Sequence, residues 1–331
     1  MSAAWPVAAL SLLALGPGSS EEPFDPWTDV ARYEIEYRAD LSKLPADTQG
    51  TLRVWLPTPS ESRAQVVLSK EIEAPWPYRE TRDRYGNRAV YLERKPGDPR
   101  GDQLVMRFVL VRSPSNGIKL VDLRSNPADA PELYLEANKL IPLNGVIGEL
   151  AAKESEGLET EGEKVRAFYD YIVRTMRYDK HGTGWGQGNA VWACGSKRGN
   201  CTDFHSLFIG MARSQNIPAR FIMGFPIPPN AREGEVAGYH CWTQAYKKAR
   251  GWLPLDASEA KKTGRVDDYF GKLPSDRIEF TLGRDLVLEP PQAGEPLNYW
   301  IYPYAELDGQ PTAQIPWTLH FRRLPLESVR N

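Results

Sequence analysis

The residues able to do chemistry in this chain gather around Gly199-Asn200-Cys201-Thr202-Asp203-Phe204-His205. Phe204, Leu207, Phe208 and Met211 recur at helical spacing, which predicts a helix over 200–213 with Cys201 in its first turn. Unpaired N–H groups and the helix dipole at such a start favour a thiolate. The same N–H groups can hold an oxyanion. Taken alone, a cysteine there is more often a small buried hydrophobe. Two segments further along the chain raise the expectation. Tyr239-His240-Cys241-Trp242 opens a predicted strand 39 residues after Cys201, and Trp252-Leu253-Pro254-Leu255-Asp256 closes the next one, 16 residues after His240. An imidazole on a strand packed against the helix can take the thiol proton and later return it to a leaving group. A carboxylate on the adjacent strand can hold the imidazole in the right tautomer. A strand-end aspartate is ordinarily a turn former. The specificity lies in the order of the three residues and in their aromatic flanks.

The elements that must position these residues are legible in the periodicities. Before the cysteine, Thr160 and Glu163 form a capping-box pattern, followed by one apolar face of Val165, Phe168, Tyr169, Ile172, Val173 and Met176. Weaker helix candidates cover 132–141 and 146–153, and a glycine-rich loop with Trp185 covers 182–188. After the cysteine, 221–225, 240–246 and 251–255 are expected as strands. Upstream, 33–37, 51–56, 66–72, the two arms of 79–94 around Tyr85-Gly86-Asn87, and 104–111 have strand texture with no helical pattern between them. That spacing suggests an antiparallel sandwich.

With the elements in place, residues 160–270 resemble the transglutaminase-like superfamily of cysteine enzymes. The resemblance is carried by Gly199-Asn200-Cys201-Thr202-Asp203, by Asn216-Ile217-Pro218-Ala219-Arg220 with Asn where the family has Gly, by His240-Cys241-Trp242, and by Gly251-Trp252-Leu253-Pro254-Leu255-Asp256. It implies a papain-like α+β core with Cys201, His240 and Asp256 as catalytic residues. The activity implied is attack on a peptide or glutamine carboxamide to form a thioester. Water then resolves it (protease or deamidase), or an amine does, with hydrolysis the favoured outcome. The second oxyanion donor is open. Trp185, Gln187, Trp192 and Tyr178 precede Cys201, but a papain-type glutamine would stand where this chain has Gly195.

Other readings compete. Cys201 and His205 stand at a metal-compatible i,i+4 spacing, but neighbours His240 and Cys241 on one strand should point to opposite faces, and no Cys-x-x-Cys or His-Glu-x-x-His pattern exists. With no Asp-x-Asp-x-Asp-Gly loop either, no metal and no cofactor are expected. A non-catalytic peptide-binding protein of the same fold is the alternative, its groove lined by Trp185, Trp192, Trp242 and Trp252. The commoner place for tryptophan is the core. His205 reads most simply as a buried histidine bonded to backbone, Asp203 as a helix cap, and Lys197-Arg198 as solvated charges.

Length, at 331 residues, favours two or three units. The expected division is a leader at 1–23, an N-terminal β-sandwich at 24–115, a catalytic domain at 116–275 and a C-terminal β extension at 276–331. The apolar run before Gly16-Pro17-Gly18-Ser19-Ser20 has the anatomy of a secretory signal, which would place the protein outside the cytoplasm. The expected partner is a peptide or protein substrate. With 41 basic and 43 acidic residues there is no basic excess for nucleic acid, and no segment suits a membrane span. The three cysteines are too few for a disulfide framework. If Cys201 stays free, Cys194 and Cys241 are the pair that remains, and a Cys194–Cys201 bond would be an off switch.

Overall fold

The computed structural model describes residues 24–45, 49–115, 130–248 and 250–326. The expected leader, 1–23, lies outside them. Six strands come first: β1 (Ala31–Asp40), β2 (Leu52–Pro57), β3 (Gln65–Glu73), β4 (Tyr78–Arg82), β5 (Arg88–Arg94) and β6 (Gln103–Arg112). The chain then turns helical, through α1 (Val146–Glu154), α2 (Glu161–Thr175), β7 (Arg177–Tyr178), α3 (Ala190–Ser196), β8 (Arg198–Gly199) and α4 (Cys201–Ser214). It returns to β9 (Ala219–Pro226), β10 (Glu233–Glu235), β11 (His240–Lys247) and β12 (Gly251–Leu255), followed by α5 (Ala257–Thr263). The last strands are β13 (Arg277–Leu282), β14 (Tyr304–Leu307), β15 (Gln310–Pro311) and β16 (Trp317–Leu324).

Alternation in β1 does what period 2 demands: Tyr33, Ile35, Tyr37 and Ala39 turn inward and their neighbours outward. Its sheet runs β10-β16-β1-β6-β3, and a second runs β15-β14-β2-β5-β4. Inward residues of both, among them Ile35, Phe108, Val54 and Leu92, share one apolar core, giving an antiparallel sandwich. The C-terminal segment divides between the two halves of the molecule. β14, β15 and β16 complete the sandwich sheets, whereas β13 joins a central sheet in the order β12-β11-β9-β13. Arg112 on β6 meets Glu279 on β13 at 3.0 Å, both buried, and Gln65 accepts from Glu279 N at 2.9 Å while donating to its carbonyl at 2.8 Å. These bonds clamp the sandwich to the central sheet at a bulge in β13, between Glu279 and Thr281.

α2 starts on the anticipated Thr160–Glu163 box, and Val165, Phe168, Tyr169, Ile172 and Val173 are buried along it, as is Met176 at its C-cap. α4 differs from expectation in an informative way. One apolar side was foreseen, yet every residue from Cys201 to Arg213 is buried. Helices α1, α2, α3 and α5 surround it, and β9 and β11 lie beneath. Its polar side, Thr202, Asp203, His205 and Ser206, is therefore enclosed too, and each must find partners inside. The expected helix at 132–141 is only a 3-10 turn, Pro131–Tyr134, followed by a bridge in which Asn138 and Ile141 exchange both backbone hydrogen bonds. Pro142 biases Ile141 toward extended backbone, which ends any helix there. The unforeseen α3 and α5 are short, and each is announced only by its cap. Asn189 accepts from Trp192 N at 3.1 Å, and Asp256 accepts from Glu259 N at 2.9 Å.

Candidate active site

Cys201 is the first residue of α4, after a capping box in which Asn200 Oδ1 accepts from Thr202 N at 2.9 Å and Asp203 accepts from Asn200 N at 2.9 Å. Asp203 reaches further than a cap. Its carboxylate also accepts from Gly186 N at 2.7 Å and Gly188 N at 3.0 Å, so it fastens the glycine loop to the helix start. Burial raises its carboxyl while these donors oppose the rise. Gly199 must be glycine, because its φ is +146° and a Cβ there would strike the Asp203 carboxylate.

His240 is the first residue of β11, paired with Gly224. β12 runs beside it with Leu255 opposite Thr243, so Asp256 falls level with Trp242 and on the same side of the pleat as His240. The register produces a hydrogen bond of 2.6 Å between His240 Nε2 and Asp256 Oδ2. Its other nitrogen, Nδ1, is left for the thiol, and the imidazole is in hydrogen-bonding contact with Cys201. Asp256 Oδ1 meanwhile accepts from Ser258 Oγ and Glu259 N, both at 2.9 Å, so α5 immobilises the carboxylate. The structure thus brings together Cys201, His240 and Asp256 in one buried cluster, with exposures of 2%, 5% and 0%.

The charges support one another. A hydrogen bond from Cys241 holds the Cys201 thiol well below its ordinary value against the cost of burial, helped by His240. Burial alone would depress His240, but the Asp256 charge and the bonds to Asp256 and Cys201 push it up to about 9. Burial would likewise raise Asp256, yet His240 and His205 keep it well below the usual carboxylate range. The Cys201 thiol is thus lowered and the His240 imidazole raised, the pair of directions that favours a thiolate beside an imidazolium.

His205 departs from expectation: its Nε2 lies 3.4 Å from Asp256 Oδ1, and its Nδ1 lies 3.6 Å from Cys241 Sγ. His240 and Cys241, expected to point to opposite faces of the strand, take different partners: His240 Nε2 meets Asp256 Oδ2 at 2.6 Å, and Cys241 Sγ donates to Thr202 Oγ1 at 3.8 Å. Cys194 sits elsewhere, 3.8 Å from Lys197 Nζ on α3, and all three thiols are free. Lys197 is engaged by Tyr171 Oη at 2.6 Å and Arg198 by the His181 carbonyl at 2.5 Å, so neither is merely solvated.

Of the tryptophans, Trp242 is fully buried, and Trp252 packs against Tyr134, Tyr246 and Arg220. Trp185 and Trp192 are half-buried beside the glycine loop. Gln187 contributes its backbone carbonyl, which accepts from Asn298 Nδ2 at 2.8 Å, while Tyr178 packs on Phe204. Sequence reasoning missed Tyr239, whose hydroxyl accepts from Asn200 Nδ2 at 3.2 Å and lies 3.4 Å from Thr202 Oγ1. Arg284 is buried, bonded to Ser206 and to the Gly188 carbonyl. Only its adjacency to His240 could have marked Tyr239. Among the described residues, no group of three or more His, Cys, Asp or Glu could hold a metal ion, and no helix is long and apolar enough to cross a membrane.

Residues 148–257 match the Transglutaminase-like superfamily. A protein of Haemophilus influenzae, described only as uncharacterized, is 27% identical over 326 residues, covering 86% of this chain and 88% of that one. The fold is similar to the crystal structure of a candidate cysteine protease from Cytophaga hutchinsonii, at a TM-score of 0.58 and 16% identity, over 91% of this chain and 93% of that chain. The periplasmic domain of TgpA from Pseudomonas aeruginosa aligns at a TM-score of 0.36 and 14% identity, over 72% of this chain and 90% of that one.

Proposed function

We propose, from the transglutaminase-like core at 148–257, that this chain is a cysteine enzyme cleaving peptide or glutamine carboxamide bonds. The observation that carries the reading is the buried Cys201–His240–Asp256 cluster at a helix start, with His240 Nε2 anchored 2.6 Å from Asp256. The Cys201 thiolate attacks the carbonyl carbon. The resulting oxyanion is met by the Cys201 N–H at the start of α4, since the Thr202, Asp203 and Phe204 N–H groups already bond Asn200. His240 gives its proton to the departing amine and a thioester remains. Neutral His240 then takes a proton from water, the hydroxide adds to the thioester, and the acid product leaves with the thiol restored. An amine in place of water would give cross-linking, and hydrolysis is the outcome we favour. No step calls on a metal. Export through the 1–23 segment belongs to the same proposal, and N-terminal sequencing of the mature protein tests it.

The decisive experiment is an active-site-directed thiol label with site mapping, run beside turnover of a peptide substrate and incorporation of a fluorescent amine into a protein acceptor. Label on Cys201 and turnover lost in Cys201→Ala are expected, with product acid exceeding amine adduct. A folded wild-type protein that takes label at Cys194 first, or turnover retained in Cys201→Ala, sinks the reading and leaves the peptide-binding alternative.

A further inference from the structure

We infer, taking Cys201 as the nucleophile proposed above, that Arg284 is a positioning residue for the glycine loop beside it, and that the C-terminal segment thereby builds one wall of the substrate cleft. The loop passes both chain neighbours of Cys201. A Cβ added at Gly186 would meet Asn200 Nδ2 at 3.4 Å, and one at Gly188 would meet Thr202 Cγ2 at 2.8 Å. A peptide bound at Cys201 therefore lies beside this loop. The loop has little stiffness of its own: it holds no helix or strand, and Gly182, Gly184, Gly186 and Gly188 all have positive φ, between 63° and 89°. Its shape depends on what grips its backbone. Asp203 takes the N–H groups of Gly186 and Gly188. Arg284 takes the carbonyls, donating from Nη2 to Gln187 O and Gly188 O, both at 3.3 Å. Its Nη1 donates to Ser206 Oγ at 2.5 Å, and Ser206 belongs to the helix that Cys201 begins. Its Nε donates to the Asn298 carbonyl at 2.7 Å, and Asn298 Nδ2 reaches back to Gln187 O at 2.8 Å. One guanidinium thus ties the loop, the nucleophile's helix and the C-terminal segment together. Arg284 is 1% exposed, and every acceptor it reaches among the described residues is an uncharged oxygen. A buried cation without a carboxylate is costly, and an apolar side chain would fill the space better. What the guanidinium adds is a planar fork that spans two carbonyls and a hydroxyl at once, which an ammonium cannot do. Arg284 and Asn298 both lie beyond the 148–257 core.

The test compares the full chain with Arg284→Met, Arg284→Lys and Asn298→Ala. Amide hydrogen exchange is read on the peptide spanning the loop, whose Gly186 and Gly188 amides Asp203 protects. Beside it, kcat and KM for a peptide substrate and iodoacetamide alkylation of Cys201 are measured. In Arg284→Met, exchange in the loop should speed by about tenfold or more, the effect of losing hydrogen bonds to a charged donor. KM should rise about tenfold with kcat little changed, because what is lost is the wall that binds substrate. Alkylation by the small reagent should stay within about threefold of wild type, since it needs no wall. Arg284→Lys keeps the charge without the fork and should behave as Arg284→Met does. A purely structural role would lower the melting temperature and leave KM where it was. If Arg284→Met does not fold, Asn298→Ala takes its place and should speed loop exchange by about fivefold, the span of one hydrogen bond. Unchanged loop exchange or an unmoved KM in the folded variant, or a Lys variant that matches wild type, overturns the inference. A wild-type Cys201 that neither alkylates nor turns over peptide refutes the nucleophile instead, and loop exchange, which needs no activity, still decides whether Arg284 holds the loop.

Discussion

Asp256→Asn isolates the electrostatic part of the cluster, because it removes a charge and little else. The carboxylate has two duties. Oδ1 caps α5 by accepting from Glu259 N and Ser258 Oγ, and Oδ2 holds His240 Nε2 at 2.6 Å. Asparagine caps as well as aspartate, so α5 should survive. If its amide oxygen keeps the cap, its NH₂ faces His240 Nε2 and drives the ring proton to Nδ1, the nitrogen that must take the thiol proton. The charge effect is separate. His240 stands at about 9 against an ordinary 6.5, with Asp256 the main cause of the rise. At about 1.4 kcal/mol per pH unit, a difference of roughly 2.5 units is about 3.5 kcal/mol, supplied by Asp256 with a smaller share from Cys201, so loss of the carboxylate charge should cost on the order of 10² in thiolate population at fixed pH. Tautomer loss adds to this, so turnover should fall by on the order of 10³ to 10⁴. The assay is the second-order rate of Cys201 alkylation at neutral pH by intact mass, beside turnover, with circular dichroism to verify that the helices persist. Alkylation within about threefold of wild type would refute the argument, since a threefold change is only about 0.7 kcal/mol.

Turnover should rise with pH as the Cys201 thiolate forms, well below the usual thiol range, and fall through about 9 as His240 loses its proton and can no longer serve the leaving group. An alkaline limb near the ordinary imidazole value in a pH profile would contradict the raised His240. Gly199→Ala forces a side chain into φ +146° and against Asp203, so it should cost about 1–3 kcal/mol in denaturant unfolding and slow Cys201 labelling. Unchanged stability would show that the glycine loop tolerates displacement. A small excess of hydrogen peroxide should oxidise Cys201 to a sulfenic acid, which Cys241 resolves with loss of water. Non-reducing peptide mapping should then find Cys201 joined to Cys241, and a Cys194 linkage would mean that the contacts described for Cys241 do not govern its reactivity.

Local devices were readable from the chain alone, because each involves residues a few positions apart. The Thr160–Glu163 box, the apolar face of α2, the alternation of β1 and the Asp203 cap are of this kind. Even the order Cys201, His240, Asp256 needs only a helix followed by two neighbouring strands. The failures are equally physical. The 132–141 segment has helical residues, but Pro142 and the Asn138–Ile141 bridge override that propensity. α5 is seven residues long, too short for periodicity, and its only herald, Asp256, had already been given another role.

Sequence therefore determined which residues carry reactive groups and which short elements present them. Tertiary structure decided how those elements meet. Enclosure of α4 on every side converts His205 from an ordinary core residue into a contact of Asp256 and Cys241. The register of β11 against β12 brings His240 to Asp256, 16 positions apart. Return of β14, β15 and β16 to the sandwich leaves β13 to complete the central sheet beneath the site. Such contacts join residues tens to hundreds of positions apart, and they exist only because burying several apolar faces at once admits few arrangements. A pattern within one segment carries no record of that shared constraint.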